Sequence, residues 1–201
     1  RSRAFPRGYQ PSDTATRTYI IDAPGALPAL AVTVDPTNLW NAYTGIYRNF
    51  NERGSEWERD AAVEYLPREN AESLALAGKL RVHGFYSRTR PKKSLRFYYA
   101  ALPSELHDDE NPLTWSGPGK QRVIIFGARE SKVSRDELFQ ELFSRAGGYA
   151  PLSMPVALYL NGEYWGIYYV RERVDQDFLD RHMGRGQYDL LDGQAGKPRV
   201  L

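Results

Sequence analysis

Residues 81–96 read RVHGFYSRTRPKKSLR and carry six cations, Arg81, Arg88, Arg90, Lys92, Lys93 and Arg96, in sixteen positions. Gly84 and Ser87 fall in the connection between two predicted strands. Small and hydroxyl residues in such a turn let backbone N–H groups approach an anion. Guanidinium forks bind phosphate oxygens in pairs, and a lysine adds a point charge. The chemistry this spacing suits is a phosphate cradle; the competing readings are a solvated basic hairpin and a nucleic-acid face. Strand parity separates the two lysines. Lys93 shares a face with Leu95 and Phe97 and is expected to point toward the core, with Lys92 on the other side. An inward lysine calls for a carboxylate. The predicted helix 134–145 offers Glu137 and Glu141; a capping box with Ser134 occupies Glu137, which leaves Glu141 as the expected partner.

A second chemistry-bearing stretch is 161–175, NGEYWGIYYVRERVD. Trp165, Ile167 and Tyr169 alternate as sheet-packing residues do, whereas Glu172 and Asp175 stand where the apolar strand ends. Other constellations are poor. Glu56, Glu58, Asp60 and Glu64 read as surface charge, and nothing sets them at the separation of a glycosidase pair. There is no Gly-x-Ser-x-Gly elbow. His83, His107 and His182 are far apart, and the absence of cysteine excludes disulfides, thiol catalysis, Cys-zinc sites and iron–sulfur clusters. Tyr188, Asp189 and Asp192 are a weak metal candidate, so the metal ligands are unassigned.

The elements that must hold these residues follow from periodicity. Strands are predicted at 18–21, 30–34, 61–66, 79–85, 94–99, 122–126, 155–160 and 164–170, with Asn161-Gly162 as the hairpin turn joining the last two. Asp35 as N-cap and Pro36 at the first helical position start a short turn through Trp40. In the helix 134–145, Leu138, Phe139, Leu142 and Phe143 share a face, and Gly147-Gly148 ends it. A further helix is predicted over 174–182, and residues 101–120 read as a long surface loop. The fold class is therefore α+β, an antiparallel sheet with few helices. No strand is followed by a Gly-x-Gly-x-x-Gly turn, which argues against a dinucleotide fold. With 27 basic against 25 acidic residues the net charge is +2, too balanced for a dedicated nucleic-acid binder. No apolar run approaches the roughly 20 residues of a membrane span.

Four stretches, in order, resemble the spore-coat protein H (CotH) kinase family: Leu27-Pro28 through Leu39-Trp40 with Thr44-Gly45-Ile46-Tyr47; Gly54-Ser-Glu-Trp-Glu-Arg59 with Val63-Glu64; Gly84-Phe-Tyr-Ser-Arg88 with Pro91-Lys-Lys-Ser94; and Tyr159-Leu-Asn-Gly-Glu-Tyr-Trp-Gly-Ile-Tyr168 with Arg171-Glu-Arg-Val-Asp175. The last two are the specific ones. The resemblance implies the first lobe of an atypical protein-kinase-like fold, with the second lobe largely missing, and transfer of phosphate from ATP, with Mg, to protein Ser or Thr. It also implies roles. Gly84, Ser87 and Arg88 look like the phosphate-covering turn, and Lys92 or Lys93 like the strand lysine on the phosphates. Glu141 sits on the helix that orients that lysine. Val170, Arg171, Glu172 and Arg173 look like the hinge beside adenine. The Asp residues that a second lobe would supply are not identifiable, and Gly127-Ala-Arg-Glu130 stands where the family has an Asp.

The expected organisation is an extended arm over 1–17, a CotH kinase-like domain over 18–191 and a tail over 192–201. The expected function is CotH-like phosphoryl transfer, with an inactive form anticipated for this chain. The alternative is a non-catalytic scaffold of a spore coat or cell-surface assembly that keeps the fold. The expected partners are a nucleotide and a protein substrate or coat protein, at a secreted or bacterial surface location.

Overall fold

A computed structural model describes residues 2, 4, 5, 7, 8, 10, 16–21, 25–68, 72–100, 102, 106, 108, 110–115, 122–128, 133–194 and 197–200, with the backbone alone for 122–128, 133–135, 191–194 and 197–200. Seven strands close into a barrel. They are β1 (Ala29–Val34), β2 (Arg59–Leu66), β3 (Leu74–His83), β4 (Ser94–Tyr99), β5 (Arg122–Ala128), β6 (Ser153–Leu160) and β7 (Glu163–Glu172), in the spatial order β1-β2-β3-β4-β5-β7-β6. Neighbours are antiparallel except at one seam, where β1 runs parallel to β6 with Ala29 opposite Ala157 and Val32 opposite Leu160. That seam adds a parallel pairing to the antiparallel sheet read from the sequence. The helices are α1 (Pro36–Trp40), α2 (Val133–Arg145) and α3 (Gln176–Met183). Strands β8 (Leu191–Gln194) and β9 (Lys197–Val200) pair as a separate ribbon within the segment read as a tail.

Alternation builds the interior. Leu30, Val32 and Val34 of β1, Val63 and Tyr65 of β2, Leu80 and Val82 of β3, Leu95, Phe97 and Tyr99 of β4, Val156 and Leu158 of β6, and Tyr168 and Val170 of β7 form one core cluster. Every second side chain of a strand faces the same way, so the residues between them line the outside. Leu39, Ile46 and Tyr47, from α1 and the loop after it, join the same cluster. Asp35 caps α1 by accepting from the Thr37 N–H at 2.8 Å, as its position before Pro36 predicts. Leu113 and Trp115, inside the stretch read as a surface loop, are buried, and Tyr99 Oη donates to the Leu113 carbonyl at 2.7 Å.

The β6–β7 turn at Asn161 (φ 52°) and Gly162 (φ 87°) has two left-handed residues, the backbone twist that a two-residue hairpin needs. Beyond it Trp165 is an extra residue. Tyr159 pairs with Tyr164 and Leu158 with Gly166, a bulge that turns Trp165 toward Trp40 and Tyr47. Residues 18–21, read as a strand, form no strand or helix; the Thr18 N–H is instead held by Glu64 at 2.7 Å.

Helix α2 ends as expected, at a left-handed Gly147 with the Gly148 N–H on the Phe143 carbonyl. Its orientation differs from the pattern. Leu138, Phe139, Leu142 and Phe143 are all more than half exposed. The reason is electrostatic. Arg171 Nη2 reaches Asp136 at 3.0 Å and Glu137 at 2.5 Å, which fixes that edge of the helix against β7 and leaves the apolar face outside. Helix α3 is capped by Asp175, which accepts from the Phe178 N–H at 3.3 Å. Among the described residues no helix is long and apolar enough to cross a membrane.

Candidate functional site

The connection from β3 to β4 is built around Gly84 and Arg88. Gly84 has φ +106°, and a Cβ there would lie 1.9 Å from Ser87 Oγ, so only glycine fits beneath that hydroxyl. The Arg88 guanidinium turns inward and spends its donors on four carbonyls: Nε on Gly84 (2.6 Å), Nη1 on Phe50 (2.7 Å) and Glu52 (2.9 Å), and Nη2 on Val82 (2.8 Å). Lys93 is inward too, as strand parity predicts, and is 5% exposed. Its ammonium donates to the Arg88 and Arg90 carbonyls at 2.8 and 3.1 Å and lies 4.1 Å from the centre of the Phe50 ring. Burial lowers its pKa.

The expected pairing of Lys93 with Glu141 is not the arrangement found. Carbonyls and an aromatic face take the place of a carboxylate, and Glu141 pairs with Arg145 at 2.8 Å on the surface of α2. Arg88 and Lys93 thus hold the loop's shape from inside the barrel end. Lys92 points elsewhere. Its Nζ lies over Gly166, and with Pro91, Tyr164 and Trp165 it lines a cavity of about 360 Å³.

Of the remaining cations of the stretch, Arg90 is exposed in the connection itself, and Arg81 and Arg96 are on the outer face of the strands. Register sets Arg81 opposite Arg96, Arg96 opposite Ile125, and Ile125 opposite Arg171, one continuous row across β3, β4, β5 and β7. Arg81 donates to the Gly54 carbonyl, pairs with Glu58 at 3.4 Å and stacks over Tyr98. Among the described residues Arg96 reaches only the Tyr98 hydroxyl, at 3.4 Å; its Nε is buried with no hydrogen-bond partner among them, and so is Nε of Arg171. Arg173 pairs with Asp175 at 3.5 Å. His83 lies among these groups. Burial, then Arg96, Arg88, Arg173 and Arg81 in turn, push its pKa down to about 3.

The expected hinge residues divide by parity. Val170 is fully buried in the core. Arg171 faces α2. Glu172 is buried, accepts from the Leu152 N–H at 3.2 Å, is ion-paired with Arg181, and has His182 Nε2 at 4.0 Å. Arg181 also donates to the Trp115 carbonyl, so Glu172 ties α3 and the buried 113–115 segment to the barrel. Glu137, assigned to a capping box from the sequence, has its carboxylate on Arg171 instead.

Among the described residues, then, the structure brings Arg81, His83, Arg96, Arg171 and Arg173 together with Asp136 and Glu137 of α2. It leaves Lys93 and Glu141 apart. Sequence reasoning counted Arg81 and Arg96 among the cations and set His83 aside as one of three scattered histidines, without joining them. The signal was present: positions 81, 83 and 96 have the opposite parity to Val82 and Leu95. Among the described residues no group of three or more His, Asp or Glu side chains converges as a metal site, so no magnesium ligand is assigned.

A curled sheet with few helices is consistent with the small first-lobe fragment that the resemblance implies, while the expected lysine–glutamate pair is replaced by the tie from Arg171 to Asp136 and Glu137. No curated protein matches the chain. A family model described as CotH kinase protein matches residues 80–198, which takes in the end of β3, strands β4 to β7, α2, α3 and every residue of the cationic row. That match covers more than half of the 201 residues, and the chain belongs to the CotH kinase family.

Proposed function

We propose that the chain binds a nucleoside triphosphate on the outer face of its barrel, beside α2, and serves phosphoryl transfer to protein hydroxyls. The observation that carries this reading is the tie from Arg171 to Asp136 and Glu137. It docks a helix on a sheet face that already holds arginines, the arrangement of strand cation and helix carboxylate that positions phosphates in kinases. The buried, unpaired Nε groups of Arg96 and Arg171 are chemically suited to phosphate oxygens. In the transfer, the acceptor hydroxyl oxygen bonds to the γ-phosphorus, the bond to the β–γ bridging oxygen breaks, the nucleoside diphosphate leaves, and the hydroxyl proton passes to solvent. The chain's own contribution is to bind and orient the phosphates; bound magnesium would supply charge neutralisation. Calorimetric titration with ATP, with and without magnesium, tests the reading. Saturable binding supports it, and absence of binding under both conditions overturns it.

A scaffold role is the second reading. The observation favouring it is the exposed row Leu138, Phe139, Leu142 and Phe143 on α2.

A further inference from the structure

We propose that the cavity lined by Pro91, Lys92, Tyr164, Trp165 and Gly166 binds the carboxylate of a ligand with an aromatic body, with Lys92 as its cation. The ligand is a free aromatic acid or the aromatic C-terminus of a peptide. The inference goes beyond the nucleotide reading and does not rest on it. Three observations carry it, and the first is the lysine. Lys92 is half-buried, and its Nζ hangs over Gly166 at the edge of a cavity of about 360 Å³. Among the described residues it has no ion pair and no hydrogen bond, whereas its neighbour Lys93 is met by two carbonyls. A partly desolvated ammonium without an acceptor is unfavourable, and a charge-assisted bond to an anion removes that cost.

The second observation is the backbone beneath that ammonium. The bulge that pairs Tyr159 with Tyr164 and Leu158 with Gly166 re-aims Trp165. Gly166 takes φ +114°, and a Cβ there would lie 2.4 Å from Lys92 Nζ, so glycine is what leaves the ammonium its place. Bulges and left-handed backbone gather at ligand sites. The third observation is the aromatic wall. Trp165 packs on Trp40 and Tyr47 at ring distances of 6.0 and 6.1 Å, and Tyr164 on Tyr159 at 5.6 Å, so both rings are held before a ligand arrives. Charge and shape then fix the class. Among the described residues one lysine and no guanidinium line the cavity, which matches the single charge of a carboxylate better than the double charge of a phosphate. Aromatic walls select a flat apolar body through offset or edge-to-face ring contacts. The volume is at the small end of ligand cavities, room for one ring with its carboxylate.

The test is an NMR titration of the chain at constant ionic strength, following the Gly166 amide and the Trp165 indole N–H. The probes are N-acetylphenylalanine, its carboxamide, acetate, inorganic phosphate and acetyl-Gly-Gly-Phe. The proteins are the wild type, Lys92→Gln, Lys92→Arg and Arg185→Gln; Arg185 is an exposed cation outside the cavity lining. N-acetylphenylalanine is expected to bind the wild type and Arg185→Gln alike. The carboxamide is expected to bind about tenfold or more weakly, Lys92→Gln to lose about as much for the acid, and Lys92→Arg to recover part of that loss. Far-UV circular dichroism checks the fold of each variant; should Lys92→Gln misfold, the acid and its amide on the wild type decide alone. Tighter binding of acetyl-Gly-Gly-Phe supports the site with a peptide end as its ligand, and equal or weaker binding supports it with a free acid. Equal affinity for acid and amide overturns the site, as does a Lys92→Gln loss no greater than that of Arg185→Gln. Acetate or phosphate binding as tightly as N-acetylphenylalanine overturns the aromatic carboxylate as its ligand. ATP that displaces the acid overturns a separate site, whereas Lys92-dependent acid binding in a chain that does not bind ATP keeps the site and sinks the nucleotide reading alone.

Discussion

His83 makes folding stability depend on pH in a way that one substitution isolates. Its ordinary pKa is 6.5, and in the fold it is pushed down to about 3, first by burial and then by Arg96, Arg88, Arg173 and Arg81. Below the ordinary value the unfolded chain takes up a proton that the folded chain refuses until about 3. The unfolded state therefore gains, and stability falls as the pH drops through that window. Between about pH 7.5 and about pH 4.5 the unfolded histidine goes from nearly neutral to nearly fully charged while the folded one stays neutral, a cost of about 2.5 kcal/mol. His83→Gln keeps a polar side chain of similar reach and does not titrate. Urea unfolding of both proteins at the two pH values gives the double difference, in which carboxylates common to both cancel. Wild type is expected to lose about 2.5 kcal/mol more than the variant. An equal loss would refute the burial of His83 among arginines. ATP at saturation is expected to shrink the difference, because phosphates beside the row offset the charges that help hold the imidazole neutral.

The inward cations give stability effects of a different kind. Arg88→Met strands four carbonyls, those of Gly84, Phe50, Glu52 and Val82, and is expected to cost about 3–5 kcal/mol in urea unfolding; a cost near zero would contradict the inward guanidinium. Gly166→Ala forces φ +114° on a residue with a Cβ, 2.4 Å from Lys92 Nζ, and is expected to lower stability by about 1–3 kcal/mol, read as a fall in Tm. Glu137→Gln weakens the tie to Arg171 and is expected to speed amide exchange across α2 by about threefold to tenfold while leaving the barrel strands unchanged. Lys93→Met places an unbranched side chain between Phe50 and Tyr47 and is expected to change ATP affinity by less than about threefold, since the ammonium it removes faces carbonyls inside the barrel.

What the sequence disclosed was local. The Asn161-Gly162 hairpin, the Asp35 cap with Pro36 behind it, the end of α2 at Gly147 and the inward face of Lys93 each depend on residues within a few positions, and each is found. The parallel seam between β1 and β6 joins segments more than a hundred residues apart, and no local pattern encodes it. The outward apolar face of α2 escaped for the same reason: periodicity places four apolar residues on one side, but the side turned to the barrel is set by Arg171 on another strand.

The site was half legible. Composition and spacing located the cations between 81 and 96 and the charged end of β7. They assumed that an inward lysine must meet a carboxylate, whereas Lys93 is satisfied by the carbonyls that its own loop turns inward. Once Arg88 and Lys93 are committed to the loop, the cations of the opposite parity, Arg81 and Arg96, are the ones facing outward beside Arg171 and Arg173.

Hydrogen–deuterium exchange of the chain with and without ATP locates the ligand most directly. Protection gathered at 81–83, 94–98, 133–145 and 170–173 is the predicted result, because those segments border the outer-face row. Protection confined to 43–50 and 88–93, around the inward Lys93, would contradict an outer-face site.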